Sequence, residues 1–316
     1  MNLRKRYIFI PLVFALVAAL FIFLPDEKPQ PVYHQDRGEV FGTFYSITYC
    51  ASSDLHAEII GRLQRFDASL STFNPHSTIS VLNQGRDTVW DEDFKLMYTT
   101  AEYVTRVSHG AFDIRVAPLV NAWGFGFSHK LDMTPERIDS LRAIRNIYDA
   151  SAIAKGQGCD AVAKVLEDHG VTNYLVEIGG EVVARGLNDK GQPWRVGIVR
   201  PVDDPSGADT QIEHVISTSH INMATSGNYR QFYYDGDVRR SHTIDPRTGY
   251  PVQHSLLSAT VTSTSCMLAD ALATACMVLG TDSALLMIDS IPDTECFLIE
   301  AADSGYTYRT SKEWKD

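Results

Sequence analysis

The chain has 316 residues, 44% apolar and 21% charged, proportions close to the globular average. That composition allows a sizeable core and excludes bulk disorder, and the length suits one large domain or two ordinary ones. With 28 basic against 39 acidic residues the net charge is −11, which repels phosphate backbones and argues against a nucleic-acid partner.

In chain order, residues 1–6 form a basic stub carrying Arg4, Lys5 and Arg6, and "YIFIPLVFALVAALFIFL" follows at 7–24, broken only by Pro11. A run of that length is just enough to span a bilayer. A signal peptide has the same charge order, but its apolar core is shorter and small residues mark a cleavage site. Here the run ends in Phe-Leu-Pro-Asp, which favours an uncleaved transmembrane anchor over a signal segment. The positive-inside rule keeps the stub in the cytoplasm and places the remainder outside. Residues 25–37 read as a proline-containing linker. No second linker of that quality follows, so 38–316 reads as one domain, with "VDDPSGAD" at 202–209 as a surface loop.

Within that domain, Ile59, Ile60, Leu63 and Phe66 fall at helical spacing, as do Phe94, Met97, Ala101 and Val104. "TPERIDSLRAI" opens with a capping threonine and a proline at the first helical position. "AVAKVLEDHG" puts Val162, Val165 and Leu166 on one face and stops at Gly170, and "ADALATACMVLG" predicts a helix of small residues ending at Gly280. Strand-like runs lie between: "EVFGTFYSITYC", "NYLVEI", "EVVARGL", "WRVGIV", "HVISTS" and "LLSATVTST". Without strict βαβ alternation, the order predicts an α+β fold with mixed, largely antiparallel sheets flanked by helices. The five cysteines show neither a C-x-x-C pair nor zinc spacing, so no disulfide is assigned.

Three stretches carry more polar and glycine information than a fold requires. In "DASAIAKGQGCDAVAKVL" (149–166), Asp149 and Ser151 stand where a helix should begin, with Lys155 and Gly156 in its first turn. Free N–H groups and a lysine there suit a phosphate; the same pattern also fits an ordinary capped helix with a surface lysine. In "MLADALATACMVLG", Asp270 and Thr274 are four apart and share a helical face. Their hard oxygens suit Mg²⁺ rather than zinc, with carbonyls, waters or substrate phosphates completing the shell, although such a pair also fits a plain polar face. In "ATSGNYRQFYYDGDVRRSHTIDPRTGYPV", "YYDGDVRR" reads as a hairpin turning at Asp235-Gly236, which leaves His242 at the mouth of a turn-rich loop. Gly179-Gly180 in "VEIGGEV" allows either close backbone approach to a ligand or a plain strand turn. "PLVNAWGFG" could wall a flat ring or belong to the core.

Together, "FGTFY", "LSTFNPHSTISVLN", "GAFDIRVAPLVNAWGFG", "DASAIAKG", "NYLVEIGGE", "WRVGI", "ATSGNYRQF", "SHTIDPRTGYPV" and "LADALATACMVLG" resemble, in this order, the ApbE-type FAD:protein FMN transferases. The resemblance covers nearly the whole chain after residue 38. It implies a Mg²⁺-dependent extracytoplasmic enzyme at the bacterial inner membrane. Such an enzyme moves FMN from FAD onto a threonine or serine hydroxyl of a target protein through a phosphoester bond and releases AMP. Family targets are membrane-bound subunits of sodium-pumping NADH:quinone reductase and Rnf-type complexes. By resemblance the metal is held by the Ala152 backbone oxygen with Asp270 and Thr274, and the flavin by Phe41, Phe73, Trp123, Gly124, Phe125, Asp149, Lys155 and Ile244. His242 becomes the candidate base for the incoming hydroxyl.

Two features depart from the family pattern. The first cysteine is Cys50, so no lipobox follows the apolar run and anchoring should be by protein. Where relatives often read K-G-Y-A-V-D, this chain has "KGQGCD", with Gln157 for an aromatic and Cys159 for a small aliphatic. Two other functions fit the same residues: an FAD pyrophosphatase giving FMN and AMP, and an exported flavin-binding protein without turnover.

Overall fold

The computed structural model describes residues 30–126, 130–201, 211–228, 232–235, 238–303 and 305–314. The stub, the apolar run at 7–24 and the loop at 202–209 lie outside the described residues. Among the described residues no helix is long and apolar enough to cross a membrane.

The strands are β1 (Val32–Val40), β2 (Thr43–Ala51), β3 (Tyr174–Ile178), β4 (Glu181–Arg185), β5 (Trp194–Val199), β6 (Ile212–Thr218), β7 (His220–Gly227), β8 (Phe232–Asp235), β9 (Val238–Ser241), β10 (Leu256–Thr262), β11 (Glu295–Ala302) and β12 (Gly305–Thr310). The helices are α1 (His56–Leu70), α2 (Thr78–Asn83), α3 (Glu92–Val107), α4 (Ala117–Ala122), α5 (Pro135–Arg142), α6 (Ala154–Asp168), α7 (Cys266–Leu279) and α8 (Thr281–Ile288). Eight strands form one sheet in the order β1-β2-β3-β4-β7-β10-β11-β12, with β5-β6 and β8-β9 as separate ribbons. Every pairing given for the described strands is antiparallel, so the expected mixed character is corrected to antiparallel throughout. The α+β reading holds.

Helices cover one face of the sheet. The periodic sets behave as the sequence predicts: Ile59, Leu63 and Phe66 of α1 and Phe94, Met97, Ala101 and Val104 of α3 are buried. Helix α7 is buried on nearly every side, which its small residues permit and its Ser265 cap initiates by accepting the Leu268 N–H. On the opposite face, the β5-β6 ribbon packs Trp194 and Val196 against Val182, Ala184, Ile221 and Met223. Strand β4 is therefore buried on both faces, which is why "EVVAR" shows no alternation.

Two boundaries differ from the sequence reading. Residues 32–37, assigned to the linker, are the first part of β1, because "VYHQDRGEV" pairs along its full length with β2 once Phe41-Gly42 turns the chain. "EVFGTFYSITYC" is thus two strands and a hairpin. Both turn residues have positive φ, 54° at Phe41 and 73° at Gly42, as a type I′ turn demands. At Phe41 that conformation is costly for a non-glycine residue.

Asp160 locks α6 to the start of α7: its carboxylate accepts the N–H groups of Cys266 at 3.0 Å and Met267 at 2.9 Å. Burial nevertheless pushes its carboxyl up to about 6, against the pull of those two donors. A folded pKa above the unfolded one means that the native state binds the proton more tightly, so this group favours the fold more as pH falls. Denaturant titrations should therefore show the wild type gaining stability relative to Asp160→Asn as pH drops from about 7 to about 4. A constant difference across that range would refute this account.

Candidate active site

The two glycine-containing hairpin turns lie side by side at one end of the sheet, where the Gly179 N–H donates to the Phe44 carbonyl at 2.9 Å. Gly179 and Gly180 form the two-residue turn between Ile178 and Glu181, both at positive φ. A cavity of about 1160 Å³ opens at this end, above the roughly 300–1,000 Å³ usual for small-ligand sites. It is bordered by both turns, the start of α6, the middle of α7, α4 and the loop after β9.

Its most polar part is a buried charge cluster. Asp270 and Glu181 are each 1% exposed. The Lys155 ammonium lies between them, 3.3 Å from Glu181 Oε1 and 3.6 Å from Asp270 Oδ1. Burial opposes the lysine's charge, but Asp270 and Glu181 outweigh it and hold the ammonium above its ordinary range. Glu181 is pushed up to about 8, chiefly by burial, with Lys155 opposing the rise and Asp270 adding to it. The stem of Lys155 crosses Gly179, where a Cβ would come within 3.1 Å of its Cδ. Close approach at this turn is therefore to Lys155 as well as to the cavity.

Helix α6 begins at Ala154, later than the sequence suggests, and Ile153 rather than Asp149 or Ser151 holds the N-cap position without a side-chain bond. Asp149 instead closes a local turn by accepting the Ser151 N–H at 2.8 Å. The Gly156 N–H, expected to be free for a phosphate, donates to Asp270 Oδ2 at 3.0 Å. It is thus diverted from the Ala152 carbonyl four residues earlier, the partner that helical geometry would offer. Only glycine fits here, since a Cβ on Gly156 would stand 2.3 Å from the Cys266 carbonyl oxygen and drive α6 from α7.

Asp270 and Thr274 share one face of α7, as their spacing predicts, and both border the cavity. The Thr274 hydroxyl is 3.1 Å from Ser226 Oγ on β7. Among the described residues no three His, Cys, Asp or Glu side chains converge as a metal cluster. Hard oxygens border the same cavity at Asp270, Thr274 and Ala152, with Glu181 Oε2 buried and lacking a hydrogen-bond partner. That set fits Mg²⁺, which accepts carbonyls, waters and phosphates, and does not fit zinc.

The remaining wall mixes aromatic and apolar side chains with polar ones. Phe41, Phe73, Phe125, Asp149 and Ile244 all border the cavity, together with His242. Phe125 stacks on Tyr233 at 5.2 Å and meets the edge of the His242 ring at 6.4 Å. His242 follows β9, between the buried Ser241 and Thr243. Asp235, expected at the turn, instead pairs with Val238 in the β8-β9 ladder, and residues 236 and 237 lie outside the described residues. The Asp-Pro loop is fixed by the Asp245–Arg247 pair at 2.8 Å and by the Val252 N–H donating to the Thr243 carbonyl at 3.0 Å.

Trp123 and Gly124 are not among the residues lining the cavity. Trp123 is buried with Leu119, Ile138 and Ile244, and its indole N–H donates to the Gly249 carbonyl at 2.9 Å. It braces the His242 loop from behind. Gly249 is obligatory in that contact, because a Cβ there would sit 2.4 Å from Ile138. Gln157 and Cys159, the departures from the family pattern, are also off the cavity. Gln157 donates to the Asp93 carbonyl at 2.9 Å, and the Cys159 thiol donates to the Glu181 carbonyl at 3.2 Å. All five cysteines are free thiols. Glu181 is the site residue that sequence reasoning missed. The signal was present as a lone carboxylate directly after Gly-Gly, ahead of the apolar Val182, Val183 and Ala184.

The ApbE family model matches residues 41–298. The FAD:protein FMN transferase of Haemophilus influenzae is 34% identical over 88% of this chain and 89% of its own length. That of Vibrio cholerae is 34% identical over 95% of this chain and 96% of its own. Among solved structures, the flavin transferase ApbE from Vibrio cholerae superposes with a TM-score of 0.79 at 33% identity, covering 89% of this chain and 98% of that one.

Proposed function

The chain belongs to the ApbE family, and from that premise we propose that it is an FAD:protein FMN transferase whose reaction is run by the cluster of Lys155, Glu181, Asp270 and Thr274 opposite His242. The observation that carries this reading is the union of buried charge with an aromatic-walled cavity large enough for a dinucleotide. Phe41, Phe73, Phe125 and Ile244 hold the flavin, and Asp149 and Lys155 fix the rest of the FAD. The acceptor threonine or serine oxygen forms a bond to the FMN-side phosphorus. The bond from that phosphorus to the bridging oxygen breaks, AMP leaves, and the hydroxyl proton passes to His242. Mg²⁺ held by the Ala152 carbonyl, Asp270 and Thr274 supplies charge neutralisation for the pyrophosphate. Lys155 adds a second positive charge, so the overall −11 is no obstacle.

The acceptor is a subunit of a sodium-pumping NADH:quinone reductase or Rnf-type complex, and the enzyme works on the periplasmic side, held by residues 7–24. Incubation of the full-length protein in detergent with FAD, Mg²⁺ and such an acceptor should give a fluorescent acceptor band on a denaturing gel, with AMP released in equal amount. AMP without a band would replace transfer with FAD hydrolysis, and neither would leave flavin binding alone.

A further inference from the structure

We infer that Glu181 is a further ligand of the divalent cation, and that Lys155 occupies the cation's place between the two carboxylates when no cation is bound. The inference rests on the metal reading of Asp270 and Thr274. Two buried carboxylates face one ammonium, at 3.3 Å and 3.6 Å. Two buried carboxylates thus share one ammonium, and a second cation there, a proton or a divalent metal, would balance them.

The free coordination positions point the same way. Asp270 Oδ2 is engaged by the Gly156 N–H, which leaves Oδ1 facing Lys155. Glu181 uses Oε1 on the same ammonium, while Oε2 is buried and has no hydrogen-bond partner. That oxygen lies beside the cavity and is free to take a further ligand. The backbone that presents Glu181 is rigid, being the first pair of β4 after a two-glycine turn and accepting the Cys159 thiol at its carbonyl. When the cation takes the carboxylates, the ammonium is released to the cavity, where the phosphates of FAD need a mobile positive charge.

The test is Mn²⁺ binding to the full-length protein without flavin, read from the electron paramagnetic resonance of free Mn²⁺. Glu181→Gln should weaken binding at least tenfold, Asp270→Asn should abolish it, and Lys155→Met should tighten it by removing the competing ammonium. Glu181→Asp keeps the charge but withdraws the carboxylate by one methylene, and should also lose affinity. It decides the matter should the Gln variant not fold. Wild-type affinity in a folded Glu181 variant alongside loss in Asp270→Asn overturns the role of Glu181 and leaves the metal reading standing. Wild-type affinity in Asp270→Asn overturns the metal reading itself.

Discussion

Asp270→Asn should lower FMN transfer by about 10³-fold or more while the protein stays folded. Asparagine keeps an oxygen for the Gly156 N–H, which Asp270 Oδ2 now accepts at 3.0 Å, so the α6–α7 contact survives. Alanine would be a poorer test, since a buried N–H left unpaired costs about 1–3 kcal/mol and confounds folding with function. What the Asn variant loses is the charge: one of the two carboxylates around Lys155 and, on the proposed function, the charge of one metal ligand. Single-turnover release of AMP, measured beside the thermal unfolding midpoint, separates the two effects. Full turnover in a folded Asp270→Asn protein would eliminate the proposed site.

His242→Ala should reduce transfer by roughly 10²–10⁴-fold, the usual contribution of a positioned base, with little effect on FAD binding. The ring meets Phe125 at its edge, and the loop is held by Trp123, Arg247 and the Val252 N–H. The fold and the flavin wall should therefore persist. A purely structural histidine would lower the rate equally at every pH. A base, once removed, takes with it the acid limb of the pH–rate profile. A variant that transfers FMN at the wild-type rate near neutral pH would return His242 to being a turn residue.

Most residues that the family resemblance named border one cavity, and the physical patterns behind them were local ones. Asp270 and Thr274 could be placed on one face because a helix fixes the direction of residues four apart. Gly179-Gly180 offered a turn after a strand because glycine adopts positive φ freely, whereas Gly42 stood inside what reads as a single strand run. Other placements were decided by contacts between distant segments. Trp123 lies among aromatics and glycines in the sequence, yet Gly249, 126 residues away, draws it behind the cavity. "WRVGIV" and "HVISTS" look like strands of the main sheet, and only packing against β4, β7 and β11 makes them a separate ribbon.

By itself the sequence determined the α+β class, the periods and faces of α1, α3 and α7, and the oxygen chemistry of Asp270 and Thr274. These follow from local backbone geometry and residue type. Only the tertiary structure decided that Gly156 offers its N–H to Asp270, 114 residues on, and that Glu181 joins Lys155 in a buried cluster. A carboxylate's partner, its burial and its retained proton are set by elements brought together from afar, and no local period encodes that meeting.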